Sequence, residues 1–247
     1  MTIFDDARRL LDSMSVEERQ EVFAYLRSVL PKHPMEERLM ISPEAMLDAF
    51  ARSGDFTVRM IRGVFAEAAF AADVLPTLRG WRELPIRGDP PFDFCLTDTP
   101  VVPDMPNAQT HTVVKLQVKM QRSRAGVPLM ASEVWKTATN WPSTYYVVEV
   151  QKSRKGQTKD GKQTRPIRFG EFDILGVSLG PSRGRWSDFM FTLERWLLPN
   201  PLDTDEILKY QPVAPHPTDR WTSSFEEAVR WLRGGDSGRI EGDLPAY

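Results

Sequence analysis

Three side chains in two short stretches have the types and spacing to do chemistry together. One stretch is Phe92-Asp93-Phe94-Cys95-Leu96. The other runs from Val113 to Gln121 and carries Gln117 and Lys119. The second reads as a β-strand, being β-branched and alternating, with a turn cluster of Pro103, Pro106 and Asn107 before it. Strand side chains alternate, so Val114, Leu116, Val118 and Met120 share one face, and Lys115, Gln117, Lys119 and Gln121 share the other. In the first stretch Phe92, Phe94 and Leu96 point one way and Asp93 the other. Paired as a hairpin with a long loop, the two strands place a carboxylate, an amide oxygen and an ammonium on one polar patch. That set seats a hard divalent cation beside a phosphate, since Mg2+ takes oxygen ligands.

Pro91-Phe92-Asp93, a second strand, and Gln117-Val118-Lys119 resemble the active-site motif of the PD-(D/E)XK nuclease superfamily. That superfamily includes many type II restriction endonucleases, Holliday-junction resolvases and Mrr-type nucleases. Its motif normally has Glu or Asp where Gln117 stands. Glutamine there is a minority variant of some restriction and modification-dependent enzymes, and it removes one anionic metal ligand. The resemblance covers roughly 57–180. It implies an α/β (α+β), restriction-endonuclease-like core, with a central mixed sheet flanked by helices and an N-terminal helical region. It also implies Mg2+, with Mn2+ able to substitute, held by Asp93, the Gln117 amide oxygen and the Val118 carbonyl. Lys119 then positions the attacking water or stabilises the developing charge. Members often carry a glutamate on the helix before the first catalytic strand, and Gly63-Val64-Phe65-Ala66-Glu67 fits that place, so Glu67 holds a water of the metal shell or a second ion. A self-contained chain of this kind looks most like a type II restriction endonuclease, a site-specific deoxyribonuclease acting as a homodimer on double-stranded DNA. Gln117 keeps open a modification-dependent or repair nuclease, or a catalytically decayed DNA-binding protein.

The elements that must position these groups are legible from periodicity. Residues 3–30 read as two helices, the second opened by a capping box at Ser15 and stopped by Pro31. Ser42-Pro43-Glu44 starts another. This N-terminal region, 1–55, is expected to be a helical cap or a dimer surface. A further helix is predicted over 56–74, with Met60, Val64, Ala68 and Ala71 as its apolar stripe and Glu67 on or beside that stripe. Strands are predicted near 92, 115, 147 and 174, with a helix around 130–139, giving a nuclease core over 56–200. The segment 201–247 is expected to be irregular over 202–222, then helical over 223–232 with Ser223 as cap.

Rival acids are weighed by their surroundings. Asp89 precedes two prolines and reads as a turn aspartate, Asp98 lies beyond a strand end, and Asp173 reads as structural. A basic segment, Lys152, Arg154, Lys155, Lys159, Lys162, Arg165 and Arg168, has Asp160 as its only acid and is assigned to the DNA backbone. Arg122, Arg124, Arg183 and Arg185 are candidates for base edges in the major groove.

Composition sets the remaining bounds. The 247 residues are 41% hydrophobic and 27% charged, enough for a real core, and the net charge of −2 calls for a local basic cleft rather than a basic whole. The single cysteine, Cys95, leaves no disulfide framework, so a cytoplasmic protein is expected. No apolar run of about eighteen residues is present and the N-terminus is acidic, so neither a membrane span nor a signal peptide is expected. His33, His111 and His216 are scattered, against a histidine metal site. No phosphate-binding glycine loop occurs, so no nucleotide cofactor is expected.

Overall fold

The computed structural model describes residues 2–99, 113–124, 126–134, 144–151, 156–157, 163–164 and 166–235. The chain divides into two compact units, Met1–Val58 and Arg59–Tyr247. The first holds α1 (Ile3–Ser13), α2 (Val16–Val29), α3 (Pro34–Leu39) and α4 (Pro43–Ala51). Each starts on a side-chain cap, from Thr2, Ser15, His33 and Ser42 in turn, and Thr2 with Asp5 and Ser15 with Glu18 complete capping boxes. A cap satisfies N–H groups that the first helical turn leaves without partners. Arg27 bridges Glu36 at 2.9 Å. Phe4, Leu10, Phe23, Leu26 and Leu30 stay exposed.

The second unit begins within α5 (Asp55–Ala69) and continues through a π-helical turn, Phe70–Val74. Its centre is a five-stranded mixed sheet. In chain order the elements are β1 (Arg82–Glu83), β2 (Phe94–Thr97), β3 (Val113–Met120), β4 (Ser123–Arg124), β5 (Val127–Pro128), α6 (Ala131–Val134), β6 (Tyr146–Glu149), β7 (Gly156–Gln157), β8 (Gln163–Thr164) and β9 (Ile174–Ser178). Then follow α7 (Gly180–Arg183), β10 (Phe189–Leu193), β11 (Pro199–Asn200), β12 (Asp203–Ile207), β13 (Tyr210–Val213) and α8 (Phe225–Arg233). The sheet order is β1-β2-β3-β9-β10. Among the described residues only β3 and β9 run parallel, with Gln117 opposite Leu175 and Lys119 opposite Val177. Strands β2 and β3 pair antiparallel, with Phe94 opposite Leu116, and 100–112 between them lies outside the described residues.

Both faces of this sheet are covered. On one, Val114, Leu116 and Val118 of β3 meet Ala66 and Phe70 and the α8 residues Phe225, Ala228, Val229 and Leu232. Phe70 sits at the middle, its ring 4.9 Å from Phe94 and 6.0 Å from Phe225. On the other, Leu175 and Val177 of β9 join Val148, Phe172, Met190 and Trp221. A parallel strand buried on both faces reads as a continuous apolar run, as Ile174-Leu175-Gly176-Val177 does.

Several expectations need correction. The strand near 147 is not in the central sheet; β6 pairs with β13 in a separate two-stranded ladder. Residues 202–222 are not irregular, because they contain β12 and β13. Tyr210-Gln211-Pro212-Val213 hides its alternation behind a proline that sits opposite Val147. Phe92 does not share a face with Phe94 and Leu96. It precedes β2, where the strand alternation has not begun, and packs with the second cluster instead. The last helix is capped by Ser224, which accepts from Glu227 N–H, rather than by Ser223. Of the helix expected around 130–139, Ala131–Val134 is described and 135–143 lies outside the described residues.

Candidate active site

A cleft of about 680 Å³ opens in the second unit. Helix α5 contributes Arg59, Gly63 and Glu67, the stretch before β2 contributes Asp89 and Asp93, β3 contributes Gln117 and Lys119, and Gln151 follows β6. On α5, Arg59, Gly63 and Glu67 recur every four residues, so one helical face lines the cleft.

Asp93 is placed by the ladder. Its own N–H donates to Leu116 O at 3.0 Å, one step beyond the last paired residue of β2. The Val118 N–H therefore has no β2 carbonyl to meet, and Asp93 Oδ2 accepts it at 2.7 Å. A buried backbone N–H must find an acceptor, so this peptide holds the carboxylate in place. Asp173 does the same on the other edge of β3. Its Oδ2 accepts Lys115 N–H at 2.7 Å while its N–H donates to Lys115 O at 2.9 Å, which is the structural role expected for it.

Gln117 is only 3% exposed. Its Nε2 donates to Asp93 Oδ2 and, at 3.3 Å, to Val118 O. Lys119 Nζ donates to Val118 O at 3.0 Å and stands 3.8 Å from Asp93 Oδ2. Burial pushes the Glu67 carboxyl above its ordinary range, Asp93 pushes it further, and Lys119 pulls it back. All four side chains line the same cleft, so helix and strands deliver them to one place.

The oxygen donors in this place are hard. The carboxylates of Glu67 and Asp93 and the carbonyl of Val118 suit Mg2+, which takes one or two protein carboxylates and keeps several waters. No cluster of three or more His, Cys, Asp or Glu able to hold a metal is found among the described residues, so neutral oxygens must complete any shell. In the observed orientation the nitrogen of the Gln117 amide, not its oxygen, faces Asp93 and Val118. Presenting Oε1 requires a half-turn of that amide and gives up both donations.

Arg59 and Gln151, neither of them a candidate from the sequence, also line the cleft, as does Asp89, the rival acid read from the sequence as a turn aspartate. Arg59 is eight residues before Glu67 on the same helical stripe, so period alone could have found it. Asp89 looks like a turn acid locally, and only the fold brings it to the cleft. Gln151 carries no local signal.

The nucleic-acid candidates are scattered. Lys152, Arg154, Lys155, Lys159, Lys162 and Arg165 lie outside the described residues, although β7 and β8 within that segment pair antiparallel. Arg168 bridges Glu206 at 3.1 Å. Arg122 pairs with Glu149 at 3.0 Å. Arg183 donates to the Pro215 carbonyl, and Arg185 pairs with Asp188 at 2.7 Å. Arg124 is exposed, and makes no ion pair among the described residues. Asp98 holds Arg233 of α8 through two 2.7 Å bonds. Burial raises the Cys95 thiol, against the pull of Lys115, as befits an inert strand cysteine.

No helix among the described residues is long and apolar enough to cross a membrane. The sequence matches no family model and no curated protein. Among solved structures, the bacterial homing endonuclease I-Ssp6803I is similar over 67% of this chain and 81% of its own, with a TM-score of 0.33 and 16% identity. An overlap at that level carries no argument about residues or substrate.

Proposed function

We propose that this protein is a metal-dependent DNA endonuclease that hydrolyses phosphodiester bonds in duplex DNA at a specific site, in the manner of a type II restriction endonuclease. One observation carries the reading: Glu67, Asp93 and Lys119 line a single open cleft, with Lys119 Nζ 3.8 Å from Asp93 Oδ2. Two acids and a lysine serve phosphoryl transfer, where negative charge must be held on both the attacking and leaving sides.

Asp93, Glu67, the Val118 carbonyl and the Gln117 amide oxygen would hold Mg2+, or Mn2+ in its stead. When bound there, the ion supplies Lewis-acid polarisation of the phosphate and a more acidic water. The chain's own residues do the rest. Asp93 is pinned by the Val118 N–H, so its second oxygen is aimed with little freedom. Glu67, protonated more readily than an ordinary carboxylate, can accept a proton from a water at the cleft. Lys119 keeps its ammonium beside the Val118 carbonyl, close to where charge develops. The Lys152–Arg168 segment supplies the phosphate contacts of a duplex, and Arg124 a contact to a base edge in the major groove. The protein works as a homodimer, matching two-fold symmetry to two-fold symmetry in its DNA.

A cleavage assay with Mg2+ on methylated and unmethylated plasmid and genomic DNA tests the reading. Discrete fragments support it, and cutting only of methylated DNA moves it to a modification-dependent nuclease. A second reading, a DNA-binding protein that has lost catalysis on the same fold, is favoured by one detail: the Gln117 nitrogen occupies the acceptor that a metal ligand would leave open. Binding without cleavage under all metals establishes that reading instead.

A further inference from the structure

A second pocket, of about 210 Å³, lies apart from the cleft. Its walls are Tyr145, Trp196 and Trp221, with Gln211 beneath them and the exposed Asp219 and Arg220 at its mouth. The pocket is built before anything enters it. Gln211 uses all its polar reach internally: Oε1 accepts Leu198 N–H at 2.8 Å, and Nε2 donates to the carbonyls of Leu198 at 2.9 Å and Leu208 at 2.8 Å. The loop at the mouth is closed by Thr218, whose Oγ1 accepts the N–H groups of Arg220 and Trp221 at 3.2 and 3.1 Å while its own N–H donates to Trp221 O at 2.7 Å. Trp196 is backed by Trp231, the ring centroids 5.2 Å apart.

The dimensions and chemistry narrow the occupant. The volume is below the roughly 300–1,000 Å³ of pockets that take drug-sized ligands, so a single planar ring system fits and a whole nucleotide does not. The lining is rich in aromatic side chains, the residue type on which bases stack. Such side chains would also suit a cation, but the mouth pairs one acid with one arginine and carries no net negative charge to hold one. Asp219 and Arg220 instead present an acceptor and a forked donor side by side, the complement of a nucleobase edge.

We propose that this pocket receives one nucleobase, unstacked from a DNA strand that also runs through the cleft; the strand, though not the base, rests on the nuclease reading. Tyr145 stands at one end of β6 and Gln151, which lines the cleft, beyond the other. The chain from Tyr145 to Gln151 spans at most about 20 Å, roughly six nucleotide steps of duplex at 3.4 Å each, a separation that one DNA segment can bridge. An enzyme that takes a base out of the stack meets a cost of a few kcal/mol, least where the base is already unpaired.

Full-length protein in EDTA is titrated with a paired duplex, the same duplex bearing one bulged base, and the same duplex with an abasic bulge. The bulged base is expected to bind about 5–150-fold tighter than the abasic bulge, the range that one stacked base supplies, with quenching of tryptophan fluorescence. Asp219→Ala and Arg220→Ala, exposed and neutral to folding, should each remove most of that gain, and Trp196→Leu all of it. Equal binding of bulged-base and abasic duplexes overturns the proposal, as does a gain that persists in both mouth variants. Quenching by tetramethylammonium without any base preference makes the site a cation cage and overturns it too. Free adenosine or thymidine quenching the same rings, with no gain from the bulged strand, assigns the pocket to free nucleosides and overturns the strand-borne base. Absence of all DNA binding both in EDTA and with Ca2+ in its place removes the nuclease reading as well, whereas duplex binding with no preference for the bulged base removes the pocket alone.

Discussion

The side-chain nitrogen of Gln117 donates to Asp93 Oδ2, the same oxygen that accepts the Val118 N–H. One carboxylate oxygen is thus held by two donors, one of them where the superfamily that this motif resembles usually has an acid. Gln117→Glu should set two carboxylates against each other, lowering Tm in EDTA, with Mg2+ recovering the loss. It should retain some cleavage and shift the metal requirement. Gln117→Ala should be far less active, and removing a bond to a charged group should cost about 1.5–3 kcal/mol of stability. Melting curves with and without Mg2+ check this, and identical behaviour of all three proteins would reduce Gln117 to a filler of the strand's polar side.

Lys119→Ala should lose cleavage by about 10²–10³-fold, the loss typical of one removed charge-stabilising donor, while still binding DNA. Asp93→Ala should lose metal-dependent cutting likewise, and should also destabilise, because the Val118 N–H is left without its acceptor at a cost of about 1–3 kcal/mol. Asp93→Asn keeps an acceptor and separates the two effects. Single-turnover cleavage beside filter binding measures both, and near-parental rates in Lys119→Ala would displace it from the site.

Glu67 links the site to pH. Its folded carboxyl lies above the ordinary value of 4.5, chiefly through burial and then through Asp93. The native state therefore holds a proton that the unfolded chain has already released, and stability falls as pH rises from about 4.5 through the raised folded value. Glu67→Gln should match the parent below that window and melt higher above it. Cleavage by the parent should rise across the same window as Glu67 ionises, and should be flat there in the variant. Tm and rate against pH test the sign, and a Gln variant that tracks the parent throughout would place Glu67 in solvent.

Gly176 is crowded. A Cβ there would stand 3.0 Å from Phe191 Cε1 and 3.3 Å from Leu116 Cδ1. It is paired with Val118 across the parallel ladder, so the strain would be felt in the strand that carries Gln117 and Lys119. Gly176→Ala should cost about 1–3 kcal/mol, a Tm fall of about 2–4 °C per kcal/mol in a chain of this size. A chemical-denaturation midpoint unchanged by the substitution would mean that the two neighbouring side chains simply move aside.

Reversing Lys155, Lys159 and Lys162 to Glu should weaken binding on every sequence and flatten the salt dependence, by about 0.9 in log–log slope for each phosphate no longer neutralised. Arg124→Ala, by contrast, should alter which sequence is cut if its fork reads a base edge, at about 1–3 kcal/mol per bidentate pair. A salt titration and a cleavage-site profile distinguish the two groups, and a lysine variant with the parental slope would leave that segment off the DNA.

The local half of this protein was legible in its residues. Capping chemistry at Ser15 and Ser42 started helices where expected, because a cap acts within one turn. The alternation from Val113 to Gln121 located β3 and its two faces, because a period of two is a property of the strand itself. Glu67 could be placed on a helix and Asp93 beside β3 for the same reason. Partners distant in sequence were not legible. Nothing in Tyr146-Val147-Val148-Glu149 says that it pairs with Tyr210–Val213 rather than joining the main sheet, since apolar runs fit either neighbour. Asp89 and Gln151 reach the cleft only through the path of the chain. Which end of the Gln117 amide meets Asp93 depends on a hydrogen bond between residues 24 apart in sequence. Composition and period determine which elements form, while register and hydrogen bonding between distant segments decide what the polar side chains meet.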